Sequence, residues 1–229
     1  MKITYWGHSC VVVESGDRRV LIDPFWPAGL PESLGAGRTK IDLIVLTHGH
    51  SDHFGEHCIE LAKKNDCPIA AVYELAAICQ QLGAPRIHPM NVGGGYDFGF
   101  AHVRLTPALH SSSVEIDGQF RYAGVAAGVV LKMGGKTFYH AGDTALFGEF
   151  ASIGRLYAPD IAALPIGDNF TMGPAEAVEA ARMLNVGKVI PIHYNTFPPI
   201  RQDVDAFVRR LAEVGIEGLP LKAGESVEI

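Results

Sequence analysis

The chain carries three histidines and one aspartate within six positions, directly after an apolar segment. The apolar run IDLIVL is typical of a buried strand, and the polar sequence THGHSDHFG at 47–55 follows it. Residues two apart in an extended loop point the same way, so His48 and His50 can converge on one ion. If the chain turns into a helix at Asp52, then Asp52 and His53 reach a neighbouring position. The sequence therefore predicts a strand end, a loop and a helix start grouped around metal.

Further ligands are available where other strands are predicted to end. His110 follows LTPAL, Asp143 stands in HAGDT, and His193 closes IPIH. Taken singly, each is more often a surface or turn residue than a ligand. The crowded histidine cluster changes that balance, because it has no evident structural purpose without an ion. Imidazole and carboxylate donors suit Zn²⁺, Mn²⁺ or Fe²⁺, and no thiolate is among the candidates.

Composition excludes several other classes of protein. The formal net charge is −6 and the sequence has no run of Lys or Arg, which argues against a nucleic-acid-binding face. No apolar run approaches the roughly 20 residues of a membrane span, and the N-terminus lacks the apolar core of a signal peptide. The 4 cysteines have no C-x-x-C spacing. We expect a cytoplasmic protein with reduced cysteines.

The two halves of the chain follow a similar plan. CVVVESGDRRVLIDP and AAGVVLKMGGKTFYHAGD both indicate strand, turn and strand ending at an aspartate. Helices are predicted over 58–65 and 74–82, from Pro174, and over 204–214 with Gly215 as the stop signal. The halves do not match residue for residue. Alternating strands and helices without a linker predict one layered α/β domain over 1–229.

Several short motifs together resemble a known family. The H-x-H-x-D-H cluster, followed by an isolated His, Asp and His, is the signature of the metallo-β-lactamase superfamily. GHSC, IDPF, TPALH, HAGDT and LPIGDNFTMGP resemble its branch of small metal-dependent hydrolases related to ascorbate-6-phosphate lactonase. The resemblance spans nearly the whole chain. It implies a four-layer αββα sandwich with the site at one edge of the two sheets.

The resemblance also implies two metal sites. The first would hold its ion through three histidines and the second through a carboxylate and two histidines, with an aspartate bridging both. These residues are His48, His50 and His110 for the first site, Asp52, His53 and His193 for the second, and Asp143 as the bridge. Two divalent ions per chain are expected, with zinc or manganese ahead of iron.

This ligand set predicts hydrolysis by activated water. A hydroxide between two ions about 3.5–4 Å apart can attack a carbonyl carbon or phosphorus, and Asp52 can accept the water's proton. We expect a small-molecule lactone, ester or phosphoester as substrate, no membrane partner, and a homo-oligomer is left open. Alternatives are a mononuclear iron oxygenase, a phosphodiesterase or nuclease, and a metal-binding protein without catalysis. His50 argues against the di-iron redox members, which carry Glu there.

Residues around the ligands are predicted to bind substrate or support the site. His8 in GHSC is a catalytic candidate, with a buried structural histidine as the alternative. Asp168 and Asn169 in GDNFT either face substrate or, for Asn169 and its neighbour Thr171, cap the helix that begins at Pro174.

Two further polar residues stand close to predicted ligands. Asn195 follows His193 by two positions and would point into the same cleft. Asp23 in IDPF would accept a hydrogen bond from a ligand imidazole. Specificity is expected from the loops 25–40, 93–100 and 111–123, and 35–38 and 93–95 are candidate mobile loops.

Overall fold

The first sheet carries the N-terminal half of the chain. The computed structural model describes residues 1–27, 29, 31 and 40–229, so the predicted mobile loop 35–38 and much of the loop 25–40 lie outside the described residues. The sheet has seven strands in the order β16-β1-β2-β3-β4-β5-β6. Their bounds are Lys2–Gly7 (β1), Cys10–Ser15 (β2), Arg18–Ile22 (β3), Leu43–Val45 (β4), Ile69–Val72 (β5), Ile87–Met90 (β6) and Ser226–Glu228 (β16). The pairs β16–β1, β1–β2 and β2–β3 are antiparallel. The pairs β3–β4, β4–β5 and β5–β6 are parallel.

The second sheet repeats this arrangement in the other half. It has seven strands in the order β15-β14-β13-β12-β11-β8-β7. Their bounds are Gly95–Asp97 (β7), His102–Pro107 (β8), Ala127–Met133 (β11), Lys136–His140 (β12), Ile161–Pro165 (β13), Lys188–Ile192 (β14) and Glu217–Gly218 (β15), and a separate hairpin joins Ser113–Ile116 (β9) to Gln119–Tyr122 (β10). Strands β7, β8, β11 and β12 are antiparallel, and β12 to β15 are parallel. The prediction of two similar β-rich halves is confirmed.

Helices cover the outer faces of the two sheets. Their bounds are Ser51–Phe54 (α1), Cys58–Asn65 (α2), Tyr73–Gln81 (α3), Phe150–Tyr157 (α4), Pro174–Leu184 (α5) and Val204–Glu213 (α6), with a short 3₁₀ helix at Pro198–Ile200. The helix predicted over 58–65 is α2, and the one predicted from Pro174 is α5. The proposed caps of α5 were wrong: its N-cap is Gly173, with no side-chain cap bond among the described residues. Pro174 needs no amide partner there, so the helix starts without one.

Strand alternation divides the core into two layers. On β11, Val129 and Leu131 pack between the sheets, whereas Val130 faces α4, α5 and α6. Apolar side chains of α2 and α3, such as Leu61 and Leu75, join the core of the first sheet. The layers are thus helix, sheet, sheet and helix, as predicted. Within the described ranges, no helix is long and apolar enough to cross a membrane, and all four cysteines are buried and unpaired.

Candidate metal centre

The predicted ligands follow the carboxyl ends of strands that run parallel within each sheet. Asp23 comes directly after β3 and His48 shortly after β4, while Asp143 follows β12 and His193 follows β14. Because the carboxyl ends of parallel strands meet at one edge of a sheet, these side chains collect there. His193 N donates to His8 O over 2.7 Å, which ties the loop after β14 to the turn between β1 and β2. The topology therefore brings both halves of the chain to one site.

The first group of donors consists of His48, His50 and His110, whose ligand atoms lie within 4.8 Å of one another. The Thr47 hydroxyl donates to Asp23 Oδ2 over 2.7 Å, so it accepts from His48 Nδ1 at 3.0 Å. His48 Nε2 then carries a lone pair, and it faces His50 Nδ1 at 3.0 Å. A cation bound between these nitrogens would satisfy both, which is the arrangement a metal site requires.

The second group contains Asp52, His53 and His193, together with His8. His193 Nε2 lies 3.6 Å from Asp52 Oδ2. His53 Nδ1 donates to Asp23 Oδ2 over 2.7 Å, so the lone pair of the neutral imidazole, the form that binds a metal, is on Nε2. Asp52 lies in the first turn of α1, so the turn into a helix predicted at this residue is present. All three predicted ligands of the second site are therefore together.

Asp143 lies between the two groups and is 2% exposed. Its Oδ2 is 3.0 Å from His193 Nε2, 3.6 Å from His110 Nε2 and 4.0 Å from His48 Nε2, and its Oδ1 is 3.2 Å from His53 Nε2. Among the described residues, Asp143 Oδ1 and His53 Nε2 have no hydrogen-bond partner although both are buried. Buried polar atoms are normally paired, so a divalent cation fits this position.

The pKa shifts separate the two groups. Burial lowers the pKa of His48 well below its usual value, and it also lowers the pKa of His50 and His110. These imidazoles are neutral at pH 7 and available as ligands. Burial opposes charge at His53 as well, but Asp143 and Asp23 outweigh it and hold the pKa well above the usual value. The second group therefore favours a positive charge at the position where a metal would be held.

Asp23 is hydrogen-bonded to His53 of the second group and, through Thr47, to His48 of the first group. It is fully buried and accepts from Thr47 N at 2.8 Å, from the Thr47 hydroxyl and from His53 Nδ1, both at 2.7 Å. One carboxylate thus orients His53 directly and His48 through Thr47. This is the position predicted for Asp23. Thr47 stands in the THGHSDHFG motif, but no feature of the sequence marked it as a site residue.

His8 contacts the second group through Asp52. Its Nε2 lies 3.1 Å from Asp52 Oδ2, and its Nδ1 lies 2.9 Å from the Thr196 hydroxyl oxygen. Burial lowers the pKa of His8 to about 4, so the ring carries one proton at pH 7. A carboxylate only accepts, so that proton is on Nε2, and Thr196 donates to Nδ1. His8 therefore orients Asp52 and does not present a lone pair to the second group.

Three candidates are not placed with the donor groups. Asp168 and Asn169 are exposed, and Asp168 Oδ1 accepts from the Asn169 amide at 2.9 Å. The Asn195 side chain accepts from Gln202 N at 2.8 Å and donates to Gln202 O at 3.2 Å. Asn195 thus closes its own loop, and it lines a cavity together with His8 and Thr196. Its backbone is left-handed, with φ of 59°, and its predicted contact with substrate stays a prediction.

Comparisons with known proteins found a matching family model, similar chains and a similar solved structure. The family model of the beta-lactamase superfamily domain matches residues 18–194. A UPF0173 metal-dependent hydrolase of Anoxybacillus flavithermus is 47% identical over 230 residues, and the alignment covers 100% of both chains. A UPF0173 metal-dependent hydrolase of Thermus thermophilus is 46% identical over 229 residues, and the alignment covers 100% of this chain and 99% of that one. The structure of Igni18, a metallo hydrolase of Ignicoccus hospitalis, is 36% identical with a TM-score of 0.87, covering 99% of this chain and 97% of its own.

Proposed function

Because the chain belongs to the UPF0173 metal-dependent hydrolases of the beta-lactamase superfamily, we propose that it cleaves a small molecule at a binuclear metal site. The chain is a metal-dependent hydrolase. We further propose that each chain binds two divalent ions, which are more often zinc or manganese than iron, and that the substrate is a lactone, an ester or a phosphoester. Lactones and phosphoesters are proposed as substrate classes because several motifs of the chain resemble those of ascorbate-6-phosphate lactonase.

The position of Asp143 carries the proposal of two ions. Its Oδ2 lies within 3.0–4.0 Å of ligand nitrogens from both groups, and its Oδ1 faces His53. A carboxylate whose Oδ2 lies near donors of both groups could bridge two neighbouring cations. When bound, two divalent ions supply a water of lowered pKa and an electrophile for the substrate oxygen.

Residues of the chain accept the proton, orient the proton acceptor and form the side that substrate approaches. Asp52 has 27% of its side chain exposed, so its carboxylate can reach solvent and accept a proton from the attacking water. His8 donates to Asp52 Oδ2 and keeps that carboxylate oriented. His50 and His110 are half-buried, and they form the side from which a substrate can approach.

The proposed setting is the cytoplasm, on the basis of four buried, unpaired cysteines. The proposed partner is a small molecule, and not nucleic acid or a membrane surface, in keeping with the net charge of −6. A homo-oligomer stays compatible with the proposal.

Elemental analysis of protein purified without chelators or added metal tests the metal part of the proposal. We expect about two ions of zinc or manganese per chain, and hydrolysis of at least one member of a panel of lactones, carboxylic esters and phosphoesters. Activity should disappear with a chelator and return with the metal. One iron per chain, with oxygen uptake and no hydrolysis, would instead favour the oxygenase.

Replacing His8 with alanine should keep both metals and reduce kcat by about 10- to 100-fold, the usual range for a residue that orients a ligand. Thr196→Val removes the hydroxyl that fixes the His8 ring and should have a smaller effect in the same direction. Thr196→Ser, which keeps the hydroxyl, is the matched control and should retain activity. The measurements are kcat and metal content of each variant. Loss of one metal from His8→Ala would make His8 a ligand and overturn its assignment.

A further inference from the structure

A cavity of about 630 Å³ lies beside the metal-binding loop, and its role is open. We call it the side cavity. Its volume is within the range of small-molecule binding sites. Its walls are mainly apolar, and they come from the segment after β3, from α1 and from β9. The apolar lining residues that matter here are Pro24, Phe25, Trp26, Phe54, Val114 and Ile116.

The side cavity borders the metal-binding loop, and none of the predicted ligands is among its described lining residues. Gly49 and Ser51, which line the cavity, are the two residues on either side of the candidate ligand His50. Gly49 packs so closely on β9 that an added Cβ would lie 2.8 Å from Val114. Phe25 contributes to the cavity and also packs edge-on against His8, with ring centroids 5.4 Å apart. A molecule in the cavity would therefore lie against the loop that holds the ligands.

The charges around the side cavity select against an anionic ligand. Glu56 and Glu115 are its acidic lining residues, His57 lies 3.2 Å from Glu56, and the described part of the lining has no Lys or Arg. Phosphate sites are usually built from Arg, Lys or amides at a helix N-terminus.

We propose that the side cavity binds the apolar acyl group of a neutral carboxylic ester, lactone or amide. The inference rests on the proposed function for the reaction itself. It narrows the substrate class, because it ranks apolar carboxylic esters and lactones above phosphoesters. Burial of apolar ligand surface supplies the affinity.

The two tryptophans provide a test that does not depend on turnover. Trp26 lines the side cavity, and Trp6 lines a different cavity on the other side of His8. Trp6→Phe leaves Trp26 as the single reporter, and Trp26→Phe leaves Trp6. We expect octanamide to change the emission of Trp26 saturably, with octyl phosphate binding at least about tenfold more weakly and Trp6 emission unchanged. A response of Trp6 alone, or equal binding of octyl phosphate, would overturn the proposal.

Turnover gives a second, separable test. With p-nitrophenyl esters as probes, kcat/KM should rise by about tenfold or more from acetate to octanoate. Ile116→Glu places a third acidic group in the wall, and it should bring the octanoate-to-acetate ratio close to 1. Since a ratio is compared, partial loss of folded protein does not imitate the effect. A ratio unchanged by Ile116→Glu would refute the side cavity as the acyl site.

The two tests fail in different ways. Octanamide binding without hydrolysis of any ester would contradict the proposed reaction and leave the cavity assignment supported. Ester hydrolysis without octanamide binding would support the reaction and refute the cavity assignment.

Discussion

Replacing Asp143 with alanine is expected to lower the bound metal from two ions per chain to one or none and to abolish hydrolysis. Asp143 Oδ2 lies 3.0 Å from His193 Nε2 and 3.6 Å from His110 Nε2, so the substitution removes the group that links the two sets of donors. Loss of the bridge removes several kcal/mol of charge stabilisation in the transition state. At about 1.4 kcal/mol per tenfold change, kcat/KM should fall by about 10³-fold or more.

The loss of metal is expected because the Asp143 side chain is a buried carboxylate that is already ionised. Although burial opposes ionisation, His53 and His193 hold the pKa of the Asp143 carboxyl well below its usual range. The carboxyl group is therefore ionised at any pH near neutrality, and it does not have to lose a proton before it can bind cations. Asp143→Asn keeps the volume and removes the charge, so it should lose metal nearly as completely as alanine.

A matched aspartate outside the site provides the control. Asp160 precedes β13, accepts from Thr137 N at 2.8 Å and pairs with Lys136 at 2.9 Å. Asp160→Ala should keep two metals and full activity, with a loss of about 0.5–1.5 kcal/mol in the free energy of unfolding. Elemental analysis and kcat/KM of the three variants are the measurements. Two metals retained in Asp143→Ala would show that this residue is not the bridge.

The backbone conformation of three site residues is a feature that the sequence could not predict. His8, Asp23 and His193 all have left-handed backbones, with φ of 53°, 49° and 53°. This conformation costs roughly 1–2 kcal/mol for each non-glycine residue. It turns each side chain sharply at the end of its strand, and long-range contacts such as His193 N to His8 O hold it there. No local pattern in the sequence predicts these turns, because the stabilising partners are far away in the chain.

The ligands were predictable for a different reason. H-x-H-x-D-H packs four donors into one loop after a buried strand, so strand alternation and a helix start are enough to group them. His110, Asp143 and His193 were proposed because each follows a predicted strand and because the resemblance to the metallo-β-lactamase superfamily implies ligands at these positions. Thr196 had no such signal, since it is separated from His8 by 188 positions.

Asp23→Asn is expected to impair metal binding and folding together. Three donors converge on the Asp23 carboxylate: Thr47 N, the Thr47 hydroxyl and His53 Nδ1. An asparagine has only one acceptor oxygen, so its amide nitrogen would face at least one of these donors. Each buried donor left without an acceptor costs about 1–3 kcal/mol. We therefore expect the chelator-treated protein to lose about 2–4 kcal/mol in the free energy of unfolding.

The same substitution should weaken the second metal more than the first. His53 loses its direct acceptor and can rotate or adopt the other tautomer, which places a proton on the Nε2 that faces Asp143. His48 is affected only through the Thr47 hydroxyl. Removing such an orienting carboxylate typically costs 10- to 100-fold in metal affinity. Metal titration against a competing chelator should therefore show one weakened site and one nearly unchanged site.

Asp42, a second aspartate that accepts a backbone hydrogen bond, separates this effect from the general cost of losing an aspartate. Asp42 accepts from Arg19 N and from Arg18 Nη1, both at 2.9 Å, at the start of the strand that leads to the metal loop. Asp42→Asn keeps one acceptor for the Arg19 amide and loses an ion pair with a partly exposed arginine, a contact worth about 0–1 kcal/mol. It should leave both metal affinities intact. If Asp42→Asn and Asp23→Asn weakened the second metal equally, the loss would come from the strand and not from the His53 hydrogen bond, and Asp23 would have no specific role in orienting the ligand.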